Sequence, residues 1–326
     1  MKHLLLLIAI ICLFKHLEAQ TPQFTQFYHT PLVINPAFAG TSEQYRFGLV
    51  HRQQWLGAAL RIATTYAAFD ANLPAFNSGI GTYLIHDVAA DGILRQTYLQ
   101  AAYSFYLRLG NTTAMQLGLN AGVGNRIASL EGLLFTSQVH PNEPDVFEGI
   151  GGSHRLFADF GTGFLFYSKT LWISIAALHL NRPDIALLAG ETARLPILYA
   201  FHTGGRFSLS TAGSGKVFVM PTLFFKYQGV ALQADVGIRL AFERSPLQGG
   251  LQYRGIPLKK SFGLWQQDAL AAIIGLQGER WQVAYSYDLP LSSINQVSSG
   301  THEIGIVYQW ATRAFRRYHY VNCPAF

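Results

Sequence analysis

The sequence predicts an all-β protein: a transmembrane antiparallel β-barrel of about 14 strands, with short periplasmic turns and long extracellular loops. Three observations carry this. Only 13% of the 326 residues are charged, against about 25% in an ordinary soluble domain, so much of the surface faces something other than water. Beyond an apolar leader, no apolar run reaches the roughly 18 residues that a spanning helix needs. The remaining apolar residues alternate with polar or small ones, which is the period of a strand. Such a composition excludes disorder, and two Cys exclude a disulfide scaffold.

The elements follow in chain order. Residues 1–19 read as a cleavable signal peptide: Lys2 and His3 form the basic start, Leu4–Phe14 the apolar run, and Leu17 and Ala19 sit three and one residues before the cut. The run is too short for a membrane anchor. Cys12 lies inside it, leaving Cys323 as the one mature Cys. Residues 20–43 read as an extended N-terminal segment. Pro22, Pro31 and Pro36 hold the preceding residues extended, and Asn35-Pro36 and Ala39-Gly40 signal turns. Its Phe and Tyr need cover, as a plug in the lumen or a strap on the periplasmic side.

The barrel is expected over 44–312. Its strands are predicted near 44–55, 60–73, 78–86, 94–108, 114–127, 158–167, 170–180, 197–210, 215–227, 230–242, 246–255, 268–278, 281–289 and 301–312. In Trp281–Leu289, Trp281, Val283, Tyr285, Tyr287 and Leu289 share one face, while Gln282, Ala284, Ser286 and Asp288 share the other. The same alternation runs through Val230–Leu240 and Gln96–Arg108. Connections after even-numbered segments are short. The long ones, 87–93, 128–157, 181–196, 256–267 and 290–300, all follow odd-numbered segments. Outer-membrane barrels have short periplasmic turns and longer outer loops, so the long loops face outward. Boundaries within a few residues leave 12 or 16 strands open. A soluble sandwich would need solvated faces rich in Lys and Glu, whereas these faces hold Gln, Ser, Gly and Thr. Residues 313–326 read as a periplasmic tail.

Catalytic patterns are sparse. No Gly-x-Ser-x-Gly elbow occurs, and no nucleotide-binding Gly-x-x-x-x-Gly-Lys-Ser/Thr. His86 and His140 fall in or beside loops, and His179, His202 and His302 have no local co-ligands. The expectation is a non-enzyme with no cofactor and no metal. The net charge of +6 is scattered, so nucleic acid is not an expected partner. Trp55, Trp172, Trp265, Trp281 and Trp310 read as interfacial belt residues. Partner contacts are expected in the long loops, at Pro141, Asn142, Glu143, Pro144, Asp145, Gly151 and Gly152 in one and Arg182 and Asp184 in another. Arg313, Arg316 and Arg317 are expected at the membrane edge or on a periplasmic partner.

The mature start reads Gln-Thr-Pro22-Gln23-Phe24-Thr-Gln26-Phe-Tyr28, then Asn35-Pro36-Ala-Phe38-Ala-Gly40. It resembles the opening signature of the PorP/SprF family of outer-membrane proteins. Arg52-Gln-Gln-Trp55, Tyr285-Ser-Tyr287-Asp288, Gly300-Thr-His302-Glu303-Ile304 and the ending Cys323-Pro-Ala-Phe326 are similar to further family motifs. Thr301 stands where the family more often has Ser. The resemblance implies a type IX secretion or gliding component in the outer membrane that assists export or surface anchoring. Its implied partners are outer-membrane lipids, a secreted surface protein bearing a type IX C-terminal sorting domain, and periplasmic type IX components or a peptidoglycan-binding protein. The alternative reading from the polar inward faces is a diffusion channel or small-solute transporter.

Overall fold

The computed structural model describes residues 21–42, 45–57, 61–129, 153–187, 190–211, 215–255, 260–261, 264–265, 269–291, 298–310 and 321–324. The signal peptide, the loop residues Pro141, Asn142, Glu143, Pro144, Asp145, Gly151 and Gly152, and the tail residues Arg313, Arg316 and Arg317 lie outside the described residues.

The strands are β1 (Tyr45–Gln54), β2 (Ile62–Leu73), β3 (Ser78–Ala89), β4 (Leu94–Arg108), β5 (Thr113–Ala128), β6 (Ser153–Ser168), β7 (Leu171–Leu178), β8 (Leu198–Gly205), β9 (Phe207–Thr211), β10 (Gly215–Gln228), β11 (Ala231–Phe242), β12 (Leu247–Arg254), β13 (Lys260–Ser261), β14 (Leu264–Trp265), β15 (Ala269–Gln277), β16 (Trp281–Pro290) and β17 (Thr301–Trp310). Fourteen of them form one closed antiparallel barrel, with β9 as an extra strand at its rim and β13–β14 a separate small hairpin. Closure comes from β1 on β17 and β10 on β11. In lipid every backbone polar group must be paired within the protein, and a closed sheet does this.

The outward rows explain the low charge. In β15, Leu270, Ile274 and Leu276 are exposed while Ala269, Ala271 and Ile273 point inward and are buried. Leu99, Tyr103 and Phe105 on β4, and Val236, Ile238 and Leu240 on β11, are likewise exposed. Much of the remaining charge is not in the loops. Arg46, Arg52, Asp70, Asp159, Lys226, Asp235, Arg239, Arg254, Asp288 and Glu303 are buried inside the barrel.

Several expected bounds change: β6 begins at Ser153, so the 128–157 connection shrinks to 129–152, and the 181–196 connection widens to 179–197. β3 continues to Ala89, so the 87–93 connection shrinks to 90–93, which carries positive φ at Ala90 and Asp91. The strand expected over 197–210 breaks at Arg206 into β8 and β9; of these two, β7 pairs with β8 alone. The long loops still gather at one end, outside by the outer-membrane rule. In the loop 179–197, Ile185 and Leu195 are buried among the barrel's inner residues.

Residues 21–42 run down the inside of the barrel. The expected extended course is interrupted by a helical turn α1 (Pro31–Ile34) and a 3-10 turn at Pro36–Phe38, each begun by a proline. Proline suits the first helical position, where its missing N–H costs nothing. Asn35 caps the second turn by accepting the Ala37 N–H at 2.8 Å.

Candidate functional site

The lumen is the site, and the N-terminal segment is what occupies it. At the outer end, the Thr21 N–H donates to Gln228 Oε1 at 3.1 Å, and Lys226 Nζ donates to the Thr21 carbonyl at 3.1 Å. At the periplasmic end, the Gly40 N–H donates to Asp70 Oδ1 at 3.2 Å, and Asn72 Nδ2 donates to the Gly40 carbonyl at 2.9 Å. Asp70 also holds Arg46 at 3.1 Å. Between these ends, Phe24, Leu32, Val33 and Ala39 pack on inward residues Val50, Tyr66, Tyr83, Ile85 and Tyr98. Full burial of a Leu-, Val- or Phe-sized side chain contributes about 1.5–3 kcal/mol.

The strongest fixation centres on Thr25. Its N–H and that of Gln26 donate to the two oxygens of Glu303, at 2.9 and 2.7 Å. Its hydroxyl donates to Asp288 at 2.7 Å and accepts from Arg52 Nη1 at 2.8 Å and Arg254 Nη1 at 2.9 Å. The guanidiniums pair with the same carboxylates: Arg52 with Asp288 at 2.9 Å and Glu303 at 3.0 Å, and Arg254 with Asp288 at 2.7 Å. Asp235 extends the cluster, accepting from Gln23 Nε2 at 3.1 Å and the Gly255 N–H at 3.0 Å. Ion pairs this buried persist only when every charge is matched and hydrogen-bonded. Here the Thr25 and Gln26 N–H groups of the N-terminal segment add hydrogen bonds to both oxygens of Glu303.

Further down, Asn35 Nδ2 reaches the Phe164 carbonyl, Ser174 Oγ and the Ile175 carbonyl at 2.8–3.0 Å. Such closeness needs glycine on the wall. A Cβ on Gly163 would lie 1.8 Å from Asn35 Oδ1, and one on Gly118 would lie 2.1 Å from Ala37 N. At the periplasmic end Val321 and Cys323 are also buried, against the cluster of Phe38, Tyr106 and Trp172, and the Val321 N–H donates to Tyr106 Oη at 3.3 Å. The C-terminal tail therefore returns to the barrel at these residues rather than hanging free of it.

Thr21 Oγ1, His179 Nε2 and Asp159 Oδ1 form a chain with successive distances of 2.9 Å, His179 Nδ1 contacting Asp159. The order resembles an acyl-transfer triad. The hydroxyl, however, also contacts Gln228 Oε1 at 3.3 Å and is buried, so the chain anchors the segment. Among the described residues no group of three or more His, Cys, Asp or Glu could hold a metal.

The structure sorts the sequence-predicted residues. Pro22, Gln23, Phe24, Gln26, Tyr28, Asn35, Pro36, Phe38 and Gly40 line the inner segment, and Arg52, Asp288 and Glu303 meet it. Tyr287 and His302 face outward instead. The Tyr287 hydroxyl donates to the Ser299 carbonyl, and His302 contacts Tyr285 Oη at 2.7 Å. Trp55 sits at a turn with φ 58° beside the Leu56–Gly300 backbone bond. Arg182 is exposed, while Asp184 caps its own loop by accepting the N–H groups of Ala186 and Ala193 and pairs with Arg155. Those N–H groups hold the Asp184 carboxyl below its usual range. Trp172 is no belt residue. It is buried and its indole donates to His202 Nδ1 at 3.3 Å. Thr25, Asp235 and Arg254 escaped the sequence reading, although the inward row Gln248, Gln252, Arg254 on β12 carries the signal.

Residues 16–308 match the family described as type IX secretion system membrane protein PorP/SprF. No curated protein sequence matches the chain. Among solved structures, a deltaS2 mutant of the TodX monoaromatic hydrocarbon channel superposes with TM-score 0.50 and 11% identity, over 87% of this chain and 94% of that one. The toluene transporter TbuX of Ralstonia pickettii gives TM-score 0.45 and 10% identity, over 86% and 93%. The TodX likeness shows the fold alone.

Proposed function

The chain belongs to the PorP/SprF family of type IX secretion system membrane proteins, and from that premise we propose that it assists export or surface anchoring of proteins bearing a type IX C-terminal sorting domain, without catalysis. It is an outer-membrane β-barrel of that system. The observation that carries the proposal is the filled lumen: residues 24–41 are all buried and are bonded to the wall at both ends. A barrel occupied by its own chain works through its rims. The outer rim, with the loops 128–157 and 181–196, is the proposed side for the exported protein. The periplasmic rim, with Arg313, Arg316 and Arg317, is the proposed side for secretion components.

The test pairs two measurements. In planar bilayers the full chain is expected to be silent, and a variant lacking residues 21–42 to conduct. In cells, loss of the chain is expected to strand a sorting-domain reporter in the periplasm. Steady channels from the full chain together with undisturbed reporter display would overturn the proposal in favour of a solute channel. A deletion of 130–152, between β5 and β6, that left display unchanged would remove that loop from it.

A further inference from the structure

A closed barrel has no sheet edge, yet one edge survives here. β9 pairs with β10 from Phe207↔Val219 to Thr211↔Gly215 and ends the sheet order, with no strand on its other side among the described residues. β7, its natural neighbour, begins at Leu171 opposite Gly205. The last backbone bond across that gap is the Arg206 N–H to the Thr170 carbonyl, at 2.8 Å. Beyond it β9 presents a row of main-chain donors and acceptors. Such a row is not tolerated against hydrocarbon, so it lies in the periplasmic interface or is paired.

The surroundings are basic. Lys169, Arg206, Lys216 and Arg244 lie in or beside the β9–β10 hairpin and outnumber the carboxylates there, Glu243 and Glu279. The nearby carboxylate of Glu243 is already engaged, accepting the Lys216 N–H at 3.0 Å. At Arg206, where β9 begins, opens a cavity of about 520 Å³, lined among others by Phe218, Phe242, Glu243, Arg244 and Glu279. The Arg206 guanidinium lies 4.3 Å from the Phe218 ring centre, and its Nε is buried without a hydrogen-bond partner among the described residues. Phe207 and Leu209 are exposed on the outer face of the edge.

We propose that the open edge of β9 is a docking site for an acidic, extended segment of a periplasmic protein, which joins the sheet as a further strand. Main-chain bonds to β9 supply affinity, and alternate side chains supply selectivity. Apolar residues of the segment lie beside Phe207 and Leu209. Its carboxylates face Lys169 and Lys216, and one enters the cavity to meet Arg206. The proposal rests on the reading of the chain as a secretion component with periplasmic partners.

The experiment places a photo-crosslinking residue at Ser208 and, separately, at Leu209 of the full chain in its own outer membrane, with cross-linked peptides identified by mass spectrometry. Both positions are expected to reach one acidic segment of a periplasmic protein, at neighbouring residues as strand pairing requires. Lys169→Glu with Lys216→Glu is expected to cut the yield about tenfold, the equivalent of about 1.4 kcal/mol. The paired Lys→Arg changes should keep it, and heat-modifiable mobility confirms that each variant folds. Cross-links only to lipid, only to residues 311–320 of the same chain, or at a yield indifferent to charge reversal overturn the proposal. A cross-linked acidic periplasmic segment from outside the secretion machinery upholds the docking edge and counts against the secretion reading. Reporter display that depends on the chain, with no cross-link at 208 or 209, does the reverse.

Discussion

Arg52 and Glu303 are direct cross-strand partners, on the first and last strands of the barrel, and their side chains meet at 3.0 Å in a buried site. The pair therefore spans the closing seam. The same Glu303 carboxylate accepts the N–H groups of Thr25 and Gln26. Closing the barrel and holding its contents are one interaction.

Removing either partner should be costly. Glu303→Ala leaves Arg52 with one carboxylate fewer and the Thr25 and Gln26 N–H groups without acceptors. Breaking a buried pair costs about 3–5 kcal/mol. The expected outcome is a lower midpoint for heat-modifiable unfolding and faster amide exchange at residues 25–26. Unchanged exchange there would show that the clamp does not hold the segment.

Wall glycines should matter in proportion to what they face. Gly163→Ala drives a methyl into Asn35, and overpacking of this kind costs about 1–3 kcal/mol. Gly249→Ala is the control, because its Cβ would meet its nearest neighbour at an ordinary 3.5 Å. Thermal midpoints that fell equally for both would refute the close-approach account.

The outer loop 179–197 should loosen in acid. The Asp184 carboxyl is held below its usual range, first by the Ala193 and then by the Ala186 N–H. A group depressed on folding adds stability above its unfolded pKa and loses it as pH falls through the folded value. The protection of the Ala186 and Ala193 amides, taken relative to intrinsic exchange at each pH, should be high at neutral pH and fall below the usual carboxylate range. Asp184→Asn should show the lower protection already at neutral pH.

The C-terminal return should protect Cys323. In the folded barrel, maleimide labelling of this buried thiol is expected to be slow. Tyr106→Phe removes the acceptor of the Val321 N–H, a loss of about 1–3 kcal/mol for a buried donor, and should speed labelling. Rapid labelling of the unaltered chain would place Cys323 outside the barrel.

Strand positions were legible residue by residue. Leu270, Ile274 and Leu276 alternate with Ala269, Ala271 and Ile273 because successive side chains leave opposite faces of a strand. The signal is local, so the barrel needed no tertiary information. The motif residues Arg52, Asp288 and Glu303 were visible as a resemblance, but not as neighbours of one another. Arg254 carried no motif, and Trp172 looked like the exposed Trp281 because an aromatic at a strand end reads alike whether it points to lipid or lumen.

The sequence by itself determined a charge-poor, period-2 chain that must close into a barrel in lipid, since only closure pairs every backbone group there. The tertiary structure alone decided what fills that barrel and where its sheet stays open. Thr25 meets Arg52, Arg254, Asp288 and Glu303 only after the ring closes, since their separations along the chain reach |i−j| = 278. β9 has a bare edge only because β7 begins at Leu171. Both depend on strand registers accumulated around a closed sheet, which local alternation does not encode.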